Sequence, residues 1–396
     1  MLAVGLLLAM APWFSSSAVA PALVGEWGAH GLDLPLLAVA VQLGFAAGAL
    51  GLAVIGAPDV IPGHRLIAAG ALLAALANLG FAYVASDVVS ALPFRALTGV
   101  ALAAVYPVAL KMASGWFRAG RGLAIGILIA ALTVGSALPY LFRAAGAYAG
   151  LDWRPVVVAA SAVAVVGALV VLLGARIGPF DVPALRFSPA IAASAFREPA
   201  VRLANLGYLG HMWELYAMWT WVPLFLAGAF AVSGLSDPAL ASLAAFAVVA
   251  AGAIGCVVAG AIADRAGRTI TTIAAMGVSG TSAVVAGFLF GAPAWLILVV
   301  AMVWGISVVA DSAQFSSAVS ELAPPGTAGS ALSVQVASGF VLTGVTIIGV
   351  GLLAPDDAAT WRVAWVLLAL GPAVGIAAMW RLRRLPEAVR MAGGHR

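Results

Sequence analysis

Along the chain, long apolar runs alternate with short polar breaks. Twelve runs stand out, at about 2–24, 34–56, 65–86, 88–113, 121–145, 153–174, 203–230, 238–262, 270–291, 294–319, 328–353 and 360–381. A helix needs roughly 20 apolar residues to cross a bilayer, and each run is close to that or longer. In lipid a helix satisfies its own backbone hydrogen bonds, so each run predicts one spanning helix, numbered here spans 1–12. The breaks carry Gly, Pro, Asp and Arg, as turns do. Span 1 begins beside Met1 and contains "AVA" at 18–20. It is long for a secretory leader and has no basic segment ahead of it, so it reads as a span.

The longest polar interval, 175–202, holds Pro179, Pro183, Pro189, Pro199 and four arginines. It reads as a linker between a six-span unit at 1–174 and a second at 203–382, with a basic tail at 383–396. The two units repeat one another. "GAPDVIPGHR" at 56–65 and "GAIADRAGRT" at 260–269 are 204 residues apart, as are "GALG" at 48–51 and "GAIG" at 252–255. Trp153-Arg154 and Trp361-Arg362 open spans 6 and 12 with an offset of 208. Corresponding spans run in the same direction, so the repeat is parallel, about an axis along the membrane normal. The predicted fold is all-α: twelve transmembrane helices in two parallel-repeated six-helix bundles. Glycines such as Gly44, Gly48 and Gly252 allow close helix approach, and helix packing accounts for them.

Composition agrees with a lipid environment. Hydrophobic residues make up 64% and charged residues 9% of the 396-residue chain, against roughly 25% charged in an average soluble domain. A net charge of +4 gives no basis for binding nucleic acid. The single cysteine, Cys256, excludes a disulfide framework. The four histidines, His30, His64, His211 and His395, are scattered, with no metal-ligand spacing and no nucleophile–base constellation. No cofactor, metal or enzymatic activity is therefore expected. With both termini in the cytoplasm, 15 of the 19 basic residues fall on the inner side, among them Arg118, Arg186 and Arg396. Eighteen of the 19 are arginine, with Lys111 the exception, which suggests GC-rich bacterial coding and a bacterial inner-membrane location.

At this level the chain resembles the major facilitator superfamily. "GAIADRAGR" is similar to that family's signature loop between spans 8 and 9, and "RALTGVALA" from Arg95 to its span-4 motif. The resemblance implies secondary transport by alternating access, with spans 1, 4, 7 and 10 lining a central cavity. It also makes Gly260, Asp264, Arg265, Gly267 and Arg268 a conformational latch. Asp264 suits the positive end of a neighbouring helix, and Arg265 and Arg268 suit acidic groups or headgroups. In the first copy Val60 and Ile61 take the Asp-Arg places, Asp59 is displaced by one, and Pro58 and Pro62 stiffen the loop. That loop reads either as a weakened latch or as a tight turn. Span 5 lacks a Gly-Pro pair of the drug-antiporter kind, and spans 2 and 8 contain no arginine.

Charges inside lipid cost at least ~2.5–3.5 kcal/mol each, so they mark candidate function. In span 7, His211 and Glu214 share a helix face at a spacing of three, placed to carry a proton or hold a cationic group. In span 10, Ser307, Asp311 and Gln314 fall on one stripe, and Asp311 stands where the repeat has Val105. Arg95 lies about seven residues into span 4, to meet a solute carboxylate or to snorkel outward. Trp13 with Ser15, Ser16 and Ser17 in span 1, Tyr106 in span 4 and Gln335 in span 11 are further candidates. For every one of them, bracing of helix packing is the competing role. The reading from sequence is a monomeric, proton-coupled transporter of a small carboxylate-bearing or zwitterionic solute. The alternative is proton-driven efflux of amphipathic compounds.

Overall fold

The computed structural model describes residues 1–117, 121–180, 187–353 and 355–395. Arg118, Arg186 and Arg396 of the inner-side count, and Pro183 of the linker, lie outside the described residues. The fold is all-helical. Spans 2, 3, 5 and 6 are α3 (Asp33–Ile55), α5 (Gly63–Tyr83), α8 (Arg121–Tyr148) and α9 (Arg154–Gly174). In the second unit, spans 7, 8, 9, 11 and 12 are α11 (Pro199–Val232), α12 (Pro238–Ala266), α13 (Arg268–Phe288), α16 (Ala328–Leu352) and α17 (Ala358–Arg383). Short helices α4 (Ala57–Val60) and α10 (Pro189–Ala195) lie in the loop after span 2 and in the linker. Span 7 therefore begins at Pro199, four residues earlier than its apolar pattern, because Pro199 suits a first helical turn.

The remaining three spans are broken, which the apolar pattern did not show. Span 1 is α1 (Leu2–Ala9) and α2 (Ser15–Trp27), with residues 10–14 in turns. Span 4 is α6 (Val88–Ala103) and α7 (Tyr106–Ser114), and span 10 is α14 (Ala294–Val308) and α15 (Ser312–Leu322). Pro12 and Pro107 explain the first two breaks: each lacks an N–H and clashes with the carbonyl four residues back. Span 10 has no proline at its break. There Asp311 stands immediately before α15, as Val105 stands immediately before α7. The repeat thus places the two breaks at equivalent positions and puts a carboxylate at only one. Among the described residues eleven helices, with spans 4 and 10 taken whole, are long and apolar enough to cross a membrane, and broken span 1 adds a twelfth segment.

Packing follows the small residues. In the first bundle α3 lies along α6, and in the second α12 lies along α14. A Cβ on Gly44 would stand 2.1 Å from the Ala96 carbonyl oxygen, and one on Gly255 1.9 Å from that of Ile306, so backbones touch at both places. The most extensive contacts between the bundles run along α8 and α12 and along α3 and α16. At the α8–α12 contact a Cβ on Gly126 would fall 2.7 Å from the Cys256 carbonyl oxygen. Met1 packs against Gly174, so the start of span 1 and the end of span 6 share one side of the molecule, called here the terminal side.

The basic tail is docked there. Beyond α17, turns of 3-10 helix at Pro386–Arg390 and Ala392–Gly394 fold back under the second bundle. Arg390 donates to the Leu322 carbonyl, Ala392 N–H donates to Glu321 at 3.1 Å, and Met391 is fully buried.

Candidate functional site

Polar groups inside the second bundle cluster where spans 7, 9 and 10 meet. Glu214, on α11, is 1% exposed. Its carboxylate accepts from Ser279 Oγ of α13 at 2.8 Å and from Trp304 Nε1 of α14 at 2.7 Å. Both donors are neutral. One turn back on α11, His211 takes different partners. Its Nδ1 lies 2.8 Å from Asp311 Oδ1, and its Nε2 lies 2.7 Å from Ser312 Oγ. His211 and Glu214 do share a face, as their spacing predicted, yet they do not pair with each other. Span 10 separates them: intact α14 offers Trp304 to Glu214, and the break offers Asp311 and Ser312 to His211.

One turn beyond Asp311, Gln314 leads toward the terminal side. Its Oε1 accepts from Arg268 Nη1 at 2.8 Å. The Arg268 guanidinium also grips Glu321 of α15 in a two-point pair, at 2.7 and 2.6 Å. Asp264 stands 3.9 Å from Arg268 and against the first turn of α8, its carboxylate 2.6 Å from where a Cβ on Gly122 would be. That position puts the carboxylate of one bundle at the positive helix end of the other. Gly267 joins α12 to α13 at φ +94°, a conformation that favours glycine. Gly260 touches the Gly122 backbone, and Arg265 is exposed. In the first copy, Lys111 of α7 donates to the Pro58 carbonyl at 2.9 Å and pairs with Asp59. Both copies therefore tie the loop to the end of the broken span, with the charges exchanged: base on loop and acid on span 10, acid on loop and base on span 4.

Arg95 is fully buried and reaches neither lipid headgroups nor a carboxylate among the described residues. Its Nη1 donates to Ser15 Oγ at 3.1 Å and Asn78 Oδ1 at 2.9 Å, and its Nη2 to the carbonyls of Pro12 at 3.2 Å and Trp13 at 2.7 Å. Asn78 in turn donates to Ser161 Oγ at 3.0 Å. The guanidinium thus donates to two carbonyls at the break in span 1, of which that of Pro12 also accepts from Ser15 Oγ at 3.0 Å. Its Nε has no hydrogen-bond partner.

Between the bundles lies an aromatic layer. Trp13 stacks on Tyr216 at 5.6 Å and lies 5.0 Å from Phe45 and 5.7 Å from Phe340, ring centre to ring centre. Phe14 meets Tyr216 and Trp219, and the Tyr140 hydroxyl donates to the Trp219 carbonyl at 3.0 Å. Of the sequence candidates, Trp13 lies in this layer. Tyr106, half-buried, begins α7 just past the break in span 4, and Gln335 is fully buried on α16. The sequence reading passed over Trp304, Ser279, Ser312, Asn78 and Glu321. Asn78, a lone amide inside span 3, was the one among them with a visible signal. Among the described residues no three His, Cys, Asp or Glu side chains gather to hold a metal ion.

The model of the Major Facilitator Superfamily matches residues 2–347. A curated relative, the MFS-type transporter pytF of Aspergillus terreus (strain NIH 2624 / FGSC A1156), is 24% identical over 209 residues. That match covers 52% of this chain and 66% of the relative, just under two thirds of its length. Among solved structures, the D-xylose-proton symporter superposes with a TM-score of 0.76 at 15% identity, over 98% of this chain and 97% of that one. The nucleoside transporter NupG (D323A mutant) gives 0.70 at 16%, over 96% and 98%. A bacterial homologue of the human lysosomal transporter Spinster, inward-facing and unoccupied, gives 0.70 at 17%, over 97% and 95%. At these identities the structures establish a shared fold.

Proposed function

The chain belongs to the Major Facilitator Superfamily, a family of transporters, and on that premise we propose that it moves a small polar organic solute in a proton-coupled cycle. The observation that carries this reading is Glu214: a carboxylate buried at the centre of span 7, held by two neutral donors and by no cation. A lone carboxylate inside a protein costs several kcal/mol as an ion, and binding a proton removes that cost. In this reading Glu214 loads a proton in one state of the cycle and releases it in the other. His211 and Asp311, one turn toward the terminal side, relay it. The Gln314–Arg268–Glu321 chain and Asp264 against α8 form the latch that separates the two states. One of the matched structures is a D-xylose-proton symporter, which is in keeping with this coupling.

In this reading Arg95 acts as a brace within the first bundle. With both terminal nitrogens on Ser15, Asn78, Pro12 and Trp13, it holds the break of span 1 in shape. The same reading puts a monomer in a bacterial inner membrane with both termini cytoplasmic, supported by the bias of 15 basic residues in 19.

The test uses purified protein in liposomes loaded with a pH-sensitive dye. A transported solute acidifies the lumen for the native chain. In Glu214→Gln the amide oxygen still accepts from Trp304 Nε1 and the amide N–H instead donates to Ser279 Oγ, so the variant is expected to fold and to exchange solute without acidification. Undiminished acidification by Glu214→Gln would overturn the assignment.

A further inference from the structure

Four buried side chains at the inter-bundle layer carry polar atoms without hydrogen-bond partners. They are Trp13 (Nε1), Gln42 (both amide atoms), Ser136 (Oγ) and Trp219 (Nε1). All are 2% exposed or less. Trp13 and Trp219 belong to the aromatic layer itself. Gln42 precedes Phe45 by three residues on α3 and Ser136 precedes Tyr140 by four on α8, so each lies one turn away on the face that enters the layer. Leaving a buried donor or acceptor unpaired costs about 1–3 kcal/mol. These groups come from four spans and both bundles, and a ligand bound among them would meet their unpaired donors and acceptors. Together they offer three kinds of donor and two of acceptor, and no formal charge. The charged groups of the interior are all engaged elsewhere: Arg95 inside the first bundle, Glu214, His211 and Asp311 inside the second.

We propose that the transported solute is an uncharged, hydroxyl-bearing ring compound, bound between the bundles with its flat apolar face on the aromatic layer. Hydroxyl groups both donate and accept, which suits a site that mixes indole N–H groups, a carboxamide and a serine hydroxyl. A carboxylate or ammonium group in this layer has no opposite charge to meet and loses its hydration without compensation. The proposal rests on the transporter reading and is independent of which residue carries the proton.

Solute counterflow in proteoliposomes tests it, because counterflow proceeds without proton coupling. The panel is a pentose, a hexose, a monocarboxylate and a zwitterionic amino acid, each radiolabelled. Counterflow of an uncharged sugar by the native chain is the expected result. Trp13→Phe keeps the ring and removes the N–H, and is expected to raise the half-saturating sugar concentration by about three- to tenfold, the worth of one neutral hydrogen bond. Gln42→Leu removes both amide functions and is expected to raise it further. Counterflow confined to the monocarboxylate or the amino acid, absence of sugar counterflow, or sugar counterflow untouched by both substitutions would overturn the proposal. Sugar counterflow by the native chain with no acidification of the lumen would instead strike the proton-coupling reading alone.

Discussion

The two bundles are copies in outline and opposites in polar content. The first buries a cation, Arg95, surrounded by neutral oxygens: Ser15, Asn78 and two backbone carbonyls. The second buries two carboxylates, Glu214 and Asp311, beside an imidazole and neutral donors. An arginine remains charged at any ordinary pH and its planar fork fixes several acceptors at once, so it suits a permanent brace. A carboxylate or imidazole exchanges its charge with solvent through a proton, so it suits a step that must reverse. On the proposed reading the first half serves as the frame and the second carries the titrating groups.

The sharpest way to break this comparison is to remove the brace. Arg95→Met leaves Ser15 bonded to Asn78 and to the Pro12 carbonyl but takes the guanidinium from the Trp13 carbonyl and from Asn78, at about 1–3 kcal/mol for each buried group left unpaired. The expected outcome is a large loss of monodisperse protein in size-exclusion chromatography, with little recovery by Arg95→Lys. Normal folding of Arg95→Met with impaired solute affinity would instead return Arg95 to the binding site.

A smaller effect separates the two charge-exchanged ties on the terminal side. Glu321→Gln weakens the two-point grip on nearly buried Arg268 and is expected to lower stability by about 1–2 kcal/mol, between the surface and buried limits. Lys111→Ala acts on the more exposed pair with Asp59 and is expected to cost less than about 1 kcal/mol. Thermal midpoints of the two variants against the native chain measure the difference, and equal shifts would remove the asymmetry.

The smallest effect lies on the opposite side, where the repeat positions differ again. Arg154 pairs with Glu26 at 2.6 Å and with Asp152, whereas its counterpart Arg362 rests over the Phe288 ring. The Arg154 hydrogen bond holds the Glu26 carboxyl below the usual glutamate range, helped by Trp153 Nε1. A depressed carboxyl contributes stability above its unfolded value and loses it as the pH falls through its folded value. Glu26→Gln is therefore expected to flatten the acid side of the stability profile slightly, by under about 1 kcal/mol. Titration of the thermal midpoint checks the sign.

Much of the frame was legible in the residues. Twelve spans, two halves and a parallel repeat follow from apolar run length and from matched glycines 204 residues apart. Hidden from view were the contacts that cross spans. A spacing of three puts His211 and Glu214 on one face, but their partners Asp311 and Trp304 are set by how span 10 breaks and packs. Arg95 reads as an intramembrane charge, yet its use depends on Pro12 opening span 1 in front of it. The Lys111–Asp59 tie joins residues 52 apart and has no local pattern at all. Sequence periodicity gives the face a side chain occupies, and tertiary packing decides what meets it there.

The lone cysteine gains a use from where it sits. Cys256 is 2% exposed, its carbonyl pressed against Gly126 of the other bundle and its thiol 3.6 Å from the Val309 carbonyl at the break in span 10. Any motion that parts α8 from α12 must uncover it. A maleimide added to the unmodified chain therefore labels one defined site, at a rate that counts openings. Binding partners, inhibitors or variants can be ranked by how they change that rate, with no engineered residue to disturb the molecule being read.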